Sequence, residues 1–355
     1  MAPIVRKVVG IWLLTGCLMI FLQVLLGGVT RLTDSGLSIT EWKPIVGVVP
    51  PLNEQEWNLK FDLYKQKVQY KAINQGMTPD EFKWIFFWEY LHRFWGMFMG
   101  IVFIVPFSFF VLKGWLNKDF FKKLSVVFIW GGVIGLYGWI MVRSGLTGVF
   151  VPPVNLSIHL VLALSLFAYL NWMALYVLRG KQTFGNFKPV LKKLAIAILV
   201  LLFCQLFFGG ITSGMKAGLA YPTWPDMNGQ IIPDALFTQK ASLTGFLTYN
   251  AQDLWGRTAI QFVHRFTAYV LIILVFIFFF KSRNITTDKI FKTGLNLFPV
   301  FVLLQATIGI ITVINCIGKI PVGLGALHQA GAMLLTAEVV FIVFHLTYRT
   351  ETGNV

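Results

Sequence analysis

Eight long apolar stretches dominate this sequence, and they restrict the folds that it can adopt. They lie near 8–29, 85–112, 124–142, 155–178, 194–213, 258–280, 294–313 and 323–347. A helix needs about 20 consecutive, mostly apolar residues to cross the hydrocarbon core of a bilayer. Only 13% of the residues are charged, about half the fraction that is usual in a soluble domain. The sequence therefore predicts an all-α polytopic membrane protein with eight transmembrane helices.

The basic residues predict how the chain is oriented. They are concentrated in short loops on one side of the membrane, in "KGWLNKDFFKK", "RGKQTFGNFKPVLKK" and "KSRNITTDKIFK". Cytoplasmic loops are enriched in lysine and arginine, so we expect both termini to face the cytoplasm. The net charge of +15 then reflects topology, and nucleic-acid binding is the weaker interpretation. No cleavable presequence is expected, because the first apolar run is too long for a signal peptide; the chain is expected in a bacterial cell (inner) membrane.

The sequence also contains an internal repeat. Three segments of the first half resemble three segments of the second half, in the same order. The pairs are "LLGGVTRLTDSGLSITEWKP" (25–44) with "FFGGITSGMKAGLAYPTWPD" (207–226), "EYLHRFWGMFMG" (89–100) with "QFVHRFTAYVLI" (261–272), and "VFVPPVNLSIHLVLALSLF" (149–167) with "KIPVGLGALHQAGAMLLTA" (319–337). We therefore expect two four-helix bundles, 1–180 (copy one) and 190–348 (copy two). With four helices each, the copies insert the same way up and are related by a pseudo-twofold axis along the membrane normal.

Four of the five histidines follow this repeat. His92 and His264 lie on the second helix of each copy, and His159 and His328 lie on the fourth. All four come early in helices that run inward, so they lie in the outer half of the membrane. Second and fourth helices are diagonal neighbours in a bundle, where paired side chains can hold a cofactor in the core. His345 has no counterpart in copy one.

These pairs favour two haem sites. A single intramembrane histidine could simply bond a neighbouring helix, but two depth-matched pairs are harder to explain by packing. Imidazole is a common metal ligand. Two histidines per site without cysteines suit six-coordinate haem iron better than zinc, which prefers four protein ligands.

The two copies differ at one ionisable position. Glu89 lies three residues before His92, whereas Gln261 occupies the matching position before His264. A spacing of three places Glu89 on the same helix face as His92. The difference favours a division of labour in which copy one performs chemistry and copy two carries electrons. The alternative is a structural ion pair, because buried carboxylates usually have a partner.

The whole pattern resembles the heme A synthase family. The matching segments, in order, are "GGVTRLTDSGLSITEWKP", "EYLHRFWG", "GWIMVRSGL", "HLVLAL", "GGITSGMKAGLAYPTWPDMNG", "VHRFTAY" and "LGALHQAGAMLL". They cover nearly the whole chain and are specific in combination. The 30–84 loop contains no cysteine pair, and in this respect the chain resembles the proteobacterial and mitochondrial branch of the family. Ile134 stands where the family often has glutamine.

The resemblance implies an oxidoreductase that converts the C8 methyl of heme O into the formyl group of heme A through successive hydroxylations. Carried over to this sequence, His92 and His159 would ligate the iron of the substrate haem, and Glu89 would be the catalytic carboxylate. His264 and His328 would ligate a resident heme b.

The resemblance also implies partners. They are a heme O synthase (haem farnesyltransferase) upstream, an electron donor such as a ferredoxin, haem-copper oxidase assembly downstream and the lipid bilayer, with a homo-oligomer as a further expectation. A rival hypothesis is a di-haem b membrane cytochrome that only relays electrons. A haem exporter built on the same bundles is a third.

Two further expectations concern the surroundings of the sites. Arg93 and Arg265 each follow a ligand histidine, and a planar guanidinium suits carboxylates, so we expect one or both to contact a haem propionate or a nearby loop carboxylate. The 30–84 loop contains amphipathic and helix-capping signals. We interpret it as a lid over the copy-one haem, whose apolar tail would enter sideways from the bilayer; an ordinary surface helix is the alternative.

Overall fold

The computed structural model of the chain describes residues 2–40, 49–179, 188–285 and 288–347. Within them, eight helices are long and apolar enough to cross a membrane. They are α1 (Pro3–Leu32), α4 (Pro79–Leu112), α5 (Lys118–Gly145), α6 (Pro153–Arg179), α7 (Pro189–Gly214), α10 (Leu254–Ser282), α11 (Lys289–Ile314) and α12 (Val322–Thr347). Each contains one of the eight predicted stretches, so the predicted class of multi-pass helical membrane protein is confirmed.

Four shorter helices lie in the two long loops. They are α2 (Glu54–Lys65), α3 (Val68–Ile73), α8 (Ala235–Thr238) and α9 (Thr244–Leu247). The predicted helical signals of the 30–84 loop correspond to α2, which Asn53 caps, and to the start of α4. The 41–48 part of that loop, and 180–187 between the predicted copies, lie outside the described residues.

Local capping explains where α4 begins. Thr78 accepts a hydrogen bond from the main chain of Glu81, whose carboxylate bonds back to Thr78, and Pro79 occupies the first turn. A capping box of this kind satisfies main-chain donors that no helical carbonyl can reach. The helix therefore starts before the apolar stretch at 85 that predicted it.

The helices of each predicted copy are arranged in a ring. α1 contacts α4 and α6, and α5 contacts α4 and α6; in the same way α7 contacts α10 and α12, and α11 contacts α10 and α12. α4 and α6 are therefore diagonal within the first ring, as α10 and α12 are within the second. This is the placement expected for the paired histidines.

The two rings meet along their first and fourth helices. α1 contacts α12, α7 contacts α6, and α6 contacts α12. Of the 18 residues in the apolar part of α12, 56% are buried inside the protein, whereas in α4 and α5 the corresponding share is 6%. α1, α6, α7 and α12 thus form the centre of the molecule, and α4 and α5 lie at its periphery.

Each ring contains a pair of adjacent glycines ("GG"), at 27–28 in α1 and at 209–210 in α7, and the second glycine of each pair permits a close approach between the rings. A Cβ at Gly28 of α1 would lie 2.2 Å from Gln329 Oε1 of α12, and one at Gly210 of α7 would lie 2.8 Å from Ser157 Oγ of α6. Gln329 donates to the Val24 carbonyl at 2.8 Å. The second glycine of each "GG" pair therefore receives a side chain from the opposite copy.

The α2–α3 segment packs against the outer end of α4. Phe61 and Tyr64 of α2 lie in one apolar cluster with Phe82 and Phe86 of α4. Tyr64 donates to Gln69 at 2.9 Å. Burial raises the pKa of Tyr64 to about 12. The segment is thus a packed part of the fold.

Candidate functional site

The first glycine of each "GG" pair receives a histidine. A Cβ at Gly27 would lie 2.9 Å from His92 Cε1, and one at Gly209 would lie 3.0 Å from His264 Cε1. The fourth-helix histidines show the same contact, at 3.0 Å between Gly138 and His159 and at 2.7 Å between Gly309 and His328. Carbon atoms normally pack at about 3.5–4.0 Å. Only a glycine at each position leaves room for the imidazole.

All of the predicted site residues line one cavity. Its volume is about 1210 Å³, above the roughly 300–1,000 Å³ of a typical small-molecule site. The predicted residues on its wall are Glu89, His92, Arg93, His159, His264, Arg265 and His328. The structure therefore brings both histidine pairs to a common space that extends through both rings.

The histidines fit a haem better than a bare metal ion. Within the described residues, no three His, Cys, Asp or Glu side chains form a metal-binding group. The Nδ1 atoms of His92, His159 and His264 are buried without a hydrogen-bond partner among those residues. Two ring ligands on diagonal helices, around a largely apolar space, suit iron whose other four bonds come from a macrocycle.

Three of the four histidines are held by a glutamine on the neighbouring helix. The Gln23 amide donates to the His92 main-chain carbonyl at 3.1 Å, and Gln205 does the same to His264 at 3.0 Å. Gln305 donates to the His328 carbonyl at 2.9 Å, and its amide nitrogen lies 3.2 Å from His328 Nδ1. Each of these glutamines precedes the histidine-contacting glycine by four residues, one helical turn.

Glu89 is a buried carboxylate with donors on both oxygens. It is 3% exposed. Its Oε2 accepts from the Ser38 hydroxyl at 2.7 Å and from the Ile39 main chain at 2.8 Å. Its Oε1 accepts from Arg93 at 2.5 Å. The carboxylate is thus fixed between α4 and the turn that follows α1, on the cavity wall.

The matching place in copy two carries an amide, and its oxygen receives none of the three donors that Glu89 has. Gln261 donates to the Tyr221 carbonyl at 2.9 Å, and its Oε1 is buried without a partner among the described residues. Ala220 occupies the position that matches Ser38. Glu89 and Ser38 therefore differ together from Gln261 and Ala220, which distinguishes copy one chemically.

The two arginines differ in their contacts. Arg93 bonds Glu89 and, at 3.3 Å, the Ile39 carbonyl. Arg265 donates to the carbonyls of Tyr221 at 2.9 Å and Asp226 at 2.8 Å. Hydrogen bonds from Thr223 and Gly229, together with the charge of Arg265, lower the pKa of the Asp226 carboxyl. Both guanidinium groups therefore tie an outer loop to the helix that carries a cavity histidine.

A charged cluster joins the copies at matching positions. Asp34 and Lys216 follow the ends of α1 and α7, and both adopt the left-handed conformation, with φ of 55° and 51°. Lys216 Nζ lies 2.8 Å from Asp34 Oδ2, and Arg31 lies 3.2 Å from Asp34 Oδ1. Burial lowers the pKa of Lys216, while Asp34 acts in the opposite direction.

His345 lies apart from the cavity. Its Nδ1 bonds the Phe341 carbonyl at 2.8 Å, and Arg179 donates to its Nε2 at 3.3 Å. Arg179 also pairs with Asp288 at 2.8 Å. These contacts connect the end of α6 to α11 and α12.

The sequence interpretation overlooked the glycine and glutamine contacts. The glycines that receive the rings lie on the helix that precedes each histidine. The signal was present as "QVLLG" (23–27), "QLFFG" (205–209) and "QATIG" (305–309), with "IGLYG" (134–138) at the fourth place. Comparing segment 25–44 with its repeat 207–226 would have shown that copy one has Ser38 where copy two has Ala220.

The chain is similar to known proteins over almost its full length. The profile of the family described as "Cytochrome oxidase assembly protein" matches residues 10–340. The "Heme A synthase" of Parvibaculum lavamentivorans is 41% identical over 94% of this chain and 93% of its own length. That of Nitrosospira multiformis is 39% identical over 95% and 93%, and that of Flavobacterium johnsoniae is 37% identical over 96% and 98%. The chain belongs to the cytochrome oxidase assembly protein family that includes these heme A synthases.

Proposed function

We propose that this protein is a heme A synthase, an oxidoreductase that converts the C8 methyl of heme O into the formyl group of heme A. Its relatives of that name match it over almost its full length. The observation that supports the proposal most strongly is that a fixed carboxylate, Glu89, lies on the cavity wall in copy one only, although each copy has a histidine pair.

The two copies have different tasks in this proposal. Copy one (1–180) binds heme O through His92 and His159, and copy two (190–348) binds a resident heme b through His264 and His328. The haem iron supplies the redox chemistry when bound. Each of two successive hydroxylations would replace a C–H bond of the methyl carbon by a C–OH bond and remove two electrons from that carbon, with an external oxidant such as dioxygen as acceptor. The resulting gem-diol would lose water to give the aldehyde.

Glu89 is the catalytic carboxylate. The hydroxyl of Ser38, the amide of Ile39 and the guanidinium of Arg93 hold its two oxygens in place. A carboxylate oxygen of Glu89 would hold or relay a proton beside the substrate methyl, and the fixed geometry limits reaction at other positions on the macrocycle.

Heme O enters copy one from the bilayer, between α4 and α5. Gly131, Gly132 and Gly135 of α5 leave open space where a Cβ would stand. The residues that match them in α11 are Val302, Leu303 and Ala306. Copy one thus has an opening on its lipid face where copy two has side chains.

The proposal extends to the location and partners of the protein. The chain lies in a bacterial inner membrane, with both termini cytoplasmic and the haem sites towards the outer half. A haem farnesyltransferase supplies the substrate, a donor such as a ferredoxin supplies electrons, and heme A passes to assembling haem-copper oxidases. Arg93 and Arg265 lie beside the ligand histidines, where either can reach a propionate, and self-association of the chain is part of the same proposal.

Haem extraction from matched variants tests the proposal. The full-length protein is produced in a bacterium that makes heme O but no heme A, and its haems are identified by mass. Wild type and Gln261→Glu should yield heme A with heme b. Glu89→Gln should lower heme A by about 100-fold or more, the scale of a lost acid-base group, while heme b is retained.

The rival function, a di-haem b electron relay, predicts the opposite result. A relay needs no carboxylate beside one haem, so Glu89→Gln would keep its electron-transfer activity and wild type would contain heme b alone. Recovery of heme A from Glu89→Gln at the wild-type level would remove Glu89 from the mechanism.

A further inference from the structure

The fourth histidine of the cavity lacks the support that the other three have. Gln23, Gln205 and Gln305 each donate to the main-chain carbonyl of the histidine that they face. The residue in the same place relative to Gly138 and His159 is Ile134, which has no hydrogen-bonding side chain. The difference falls in copy one, in the bundle that contains Glu89.

The glutamine contact fixes a histidine at its own position along the helix. Its amide reaches across from the neighbouring helix to the backbone of the histidine, while the glycine one turn later receives the ring. The amide nitrogens also lie 3.5, 3.4 and 3.2 Å from ring nitrogens of His92, His264 and His328. A polar group beside the ring orients a ligand histidine and tunes its metal bond.

His159 is held by packing. Its ring lies against Gly138 and is nearly parallel to that of Tyr137, with centroids 6.5 Å apart. Tyr137 donates to Asn155 at 3.3 Å. Within the described residues, His159 Nδ1 has no hydrogen-bond partner, so nothing polar opposes rotation of this ring away from the cavity.

The helix that faces His159 is also little buried by the rest of the protein. In the apolar 18-residue segment of α5, 6% of the residues are buried inside the protein, against 17% in that of α11, which carries Gln305. Gly131, Gly132 and Gly135 of α5 have no atoms within 4 Å of a would-be Cβ. The α5 side of copy one therefore offers space into which the His159 ring can turn.

We propose that Ile134 makes His159 the more readily displaced haem ligand of copy one in this chain, and that Ile134 is a positioning residue for the rate of substrate exchange. The inference rests on the proposed function. In that function the haem of copy one arrives as substrate and leaves as product, whereas the haem of copy two stays. Release would require both iron–histidine bonds to break, and the bond to the histidine without an amide anchor would break first.

Two reciprocal substitutions test this inference in the full-length protein loaded with heme O and heme b. Ile134→Gln adds the missing amide, and Gln305→Ile removes its counterpart in copy two. Each haem is followed as it transfers to excess apomyoglobin, and heme O and heme b are distinguished by mass. One hydrogen bond contributes about 0.5–1.5 kcal/mol, so we expect Ile134→Gln to slow heme O release by about 3- to 10-fold. Gln305→Ile should accelerate heme b release by a similar factor.

Ile134→Leu is the matched control, because it keeps an apolar side chain of the same size; it should leave heme O release unchanged. An unchanged release rate in folded Ile134→Gln overturns the inference. If that variant does not fold, Gln305→Ile decides, and unaltered heme b release there overturns it as well.

The measurement separates this inference from the proposed function. Release is measured without turnover, so altered rates in a protein that never forms heme A would leave the ligand assignment standing while the synthase proposal fails. Normal heme A formation, together with release rates that the substitutions do not change, would leave the synthase proposal standing and overturn the ligand assignment.

Discussion

Each of the four cavity histidines depends on the absence of a side chain on a neighbouring helix. His264 lies where a Cβ on Gly209 would be 3.0 Å from its Cε1, and His92 has the same relation to Gly27 at 2.9 Å. A methyl group there meets a ring that is itself held by its own helix. The glycine thus sets the position of the imidazole as directly as a hydrogen bond does.

Replacing Gly209 by Ala should therefore displace His264. We expect a weakened or lost low-spin haem signal from copy two, together with an overpacking cost of about 1–3 kcal/mol. Reduced-minus-oxidised spectra and haem content per protein measure the first effect, and the thermal unfolding midpoint measures the second.

The control is Gly323→Ala on α12 of the same copy, since a Cβ at Gly323 meets no atom within 4 Å. It should retain the full haem content. A wild-type spectrum in Gly209→Ala would show that the ring can shift without losing its ligand role.

At the scale of elements, the apolar stretches predicted the helices because length and hydropathy are properties of each segment alone. The start of α4 could also be predicted, from Thr78 and Pro79. Contacts between helices could not: a Gln or Gly in an apolar run has the same local pattern whether it faces lipid or a histidine. Only the repetition of the Gln–Gly spacing across the copies carries that information, and the Glu89 partner Ser38 lies 51 positions away in the sequence.

The α2–α3 segment is the element whose predicted role can be tested directly. Gln69 of α3 lines the cavity and donates to the Asp34 carbonyl at 3.2 Å. We expect that joining α2 to α4 through Asn58→Cys and Lys83→Cys, which flank one crevice, will block heme O loading of copy one. The heme b of copy two should remain.

Loading is measured as heme O bound per protein before and after a bifunctional thiol reagent is added. Each single-cysteine variant, treated in the same way, is the control for modification of the native cysteines. If loading proceeds at the normal rate in the joined protein, the segment is a surface element and not a lid.

Across the whole molecule, the two rings are joined by apolar contacts between their helices and by a small ionic cluster beyond the ends of α1 and α7. Lys216 and Asp34 are 16% and 27% exposed, intermediate between a surface pair and a buried one. Arg31 adds donors to the Ser213 and Gly214 carbonyls at 2.9 and 3.0 Å, at the end of α7. The cluster therefore fixes the C-terminal ends of α1 and α7 relative to each other.

A double-mutant cycle measures this connection. Asp34→Asn and Lys216→Met should each destabilise the protein, and their effects should be non-additive by about 1–2 kcal/mol, between the values for exposed and buried pairs. Asp234→Asn and Lys240→Met, in the outer loop of copy two, serve as the control cycle. Additive effects at Asp34 and Lys216 would mean that the pair contributes nothing to the junction.

The place of this pair has a consequence for how such a chain could have arisen. Asp34 and Lys216 occupy the same position in the two copies and touch each other, so they lie close to the axis that would relate two identical subunits. A homodimer of copy-one units would place Asp34 against Asp34, and one of copy-two units would place Lys216 against Lys216. Like charges in contact repel. Because the matching position is acidic in one copy and basic in the other, it favours the pairing of copy one with copy two. Produced as separate polypeptides, the two halves should assemble with each other and not with themselves.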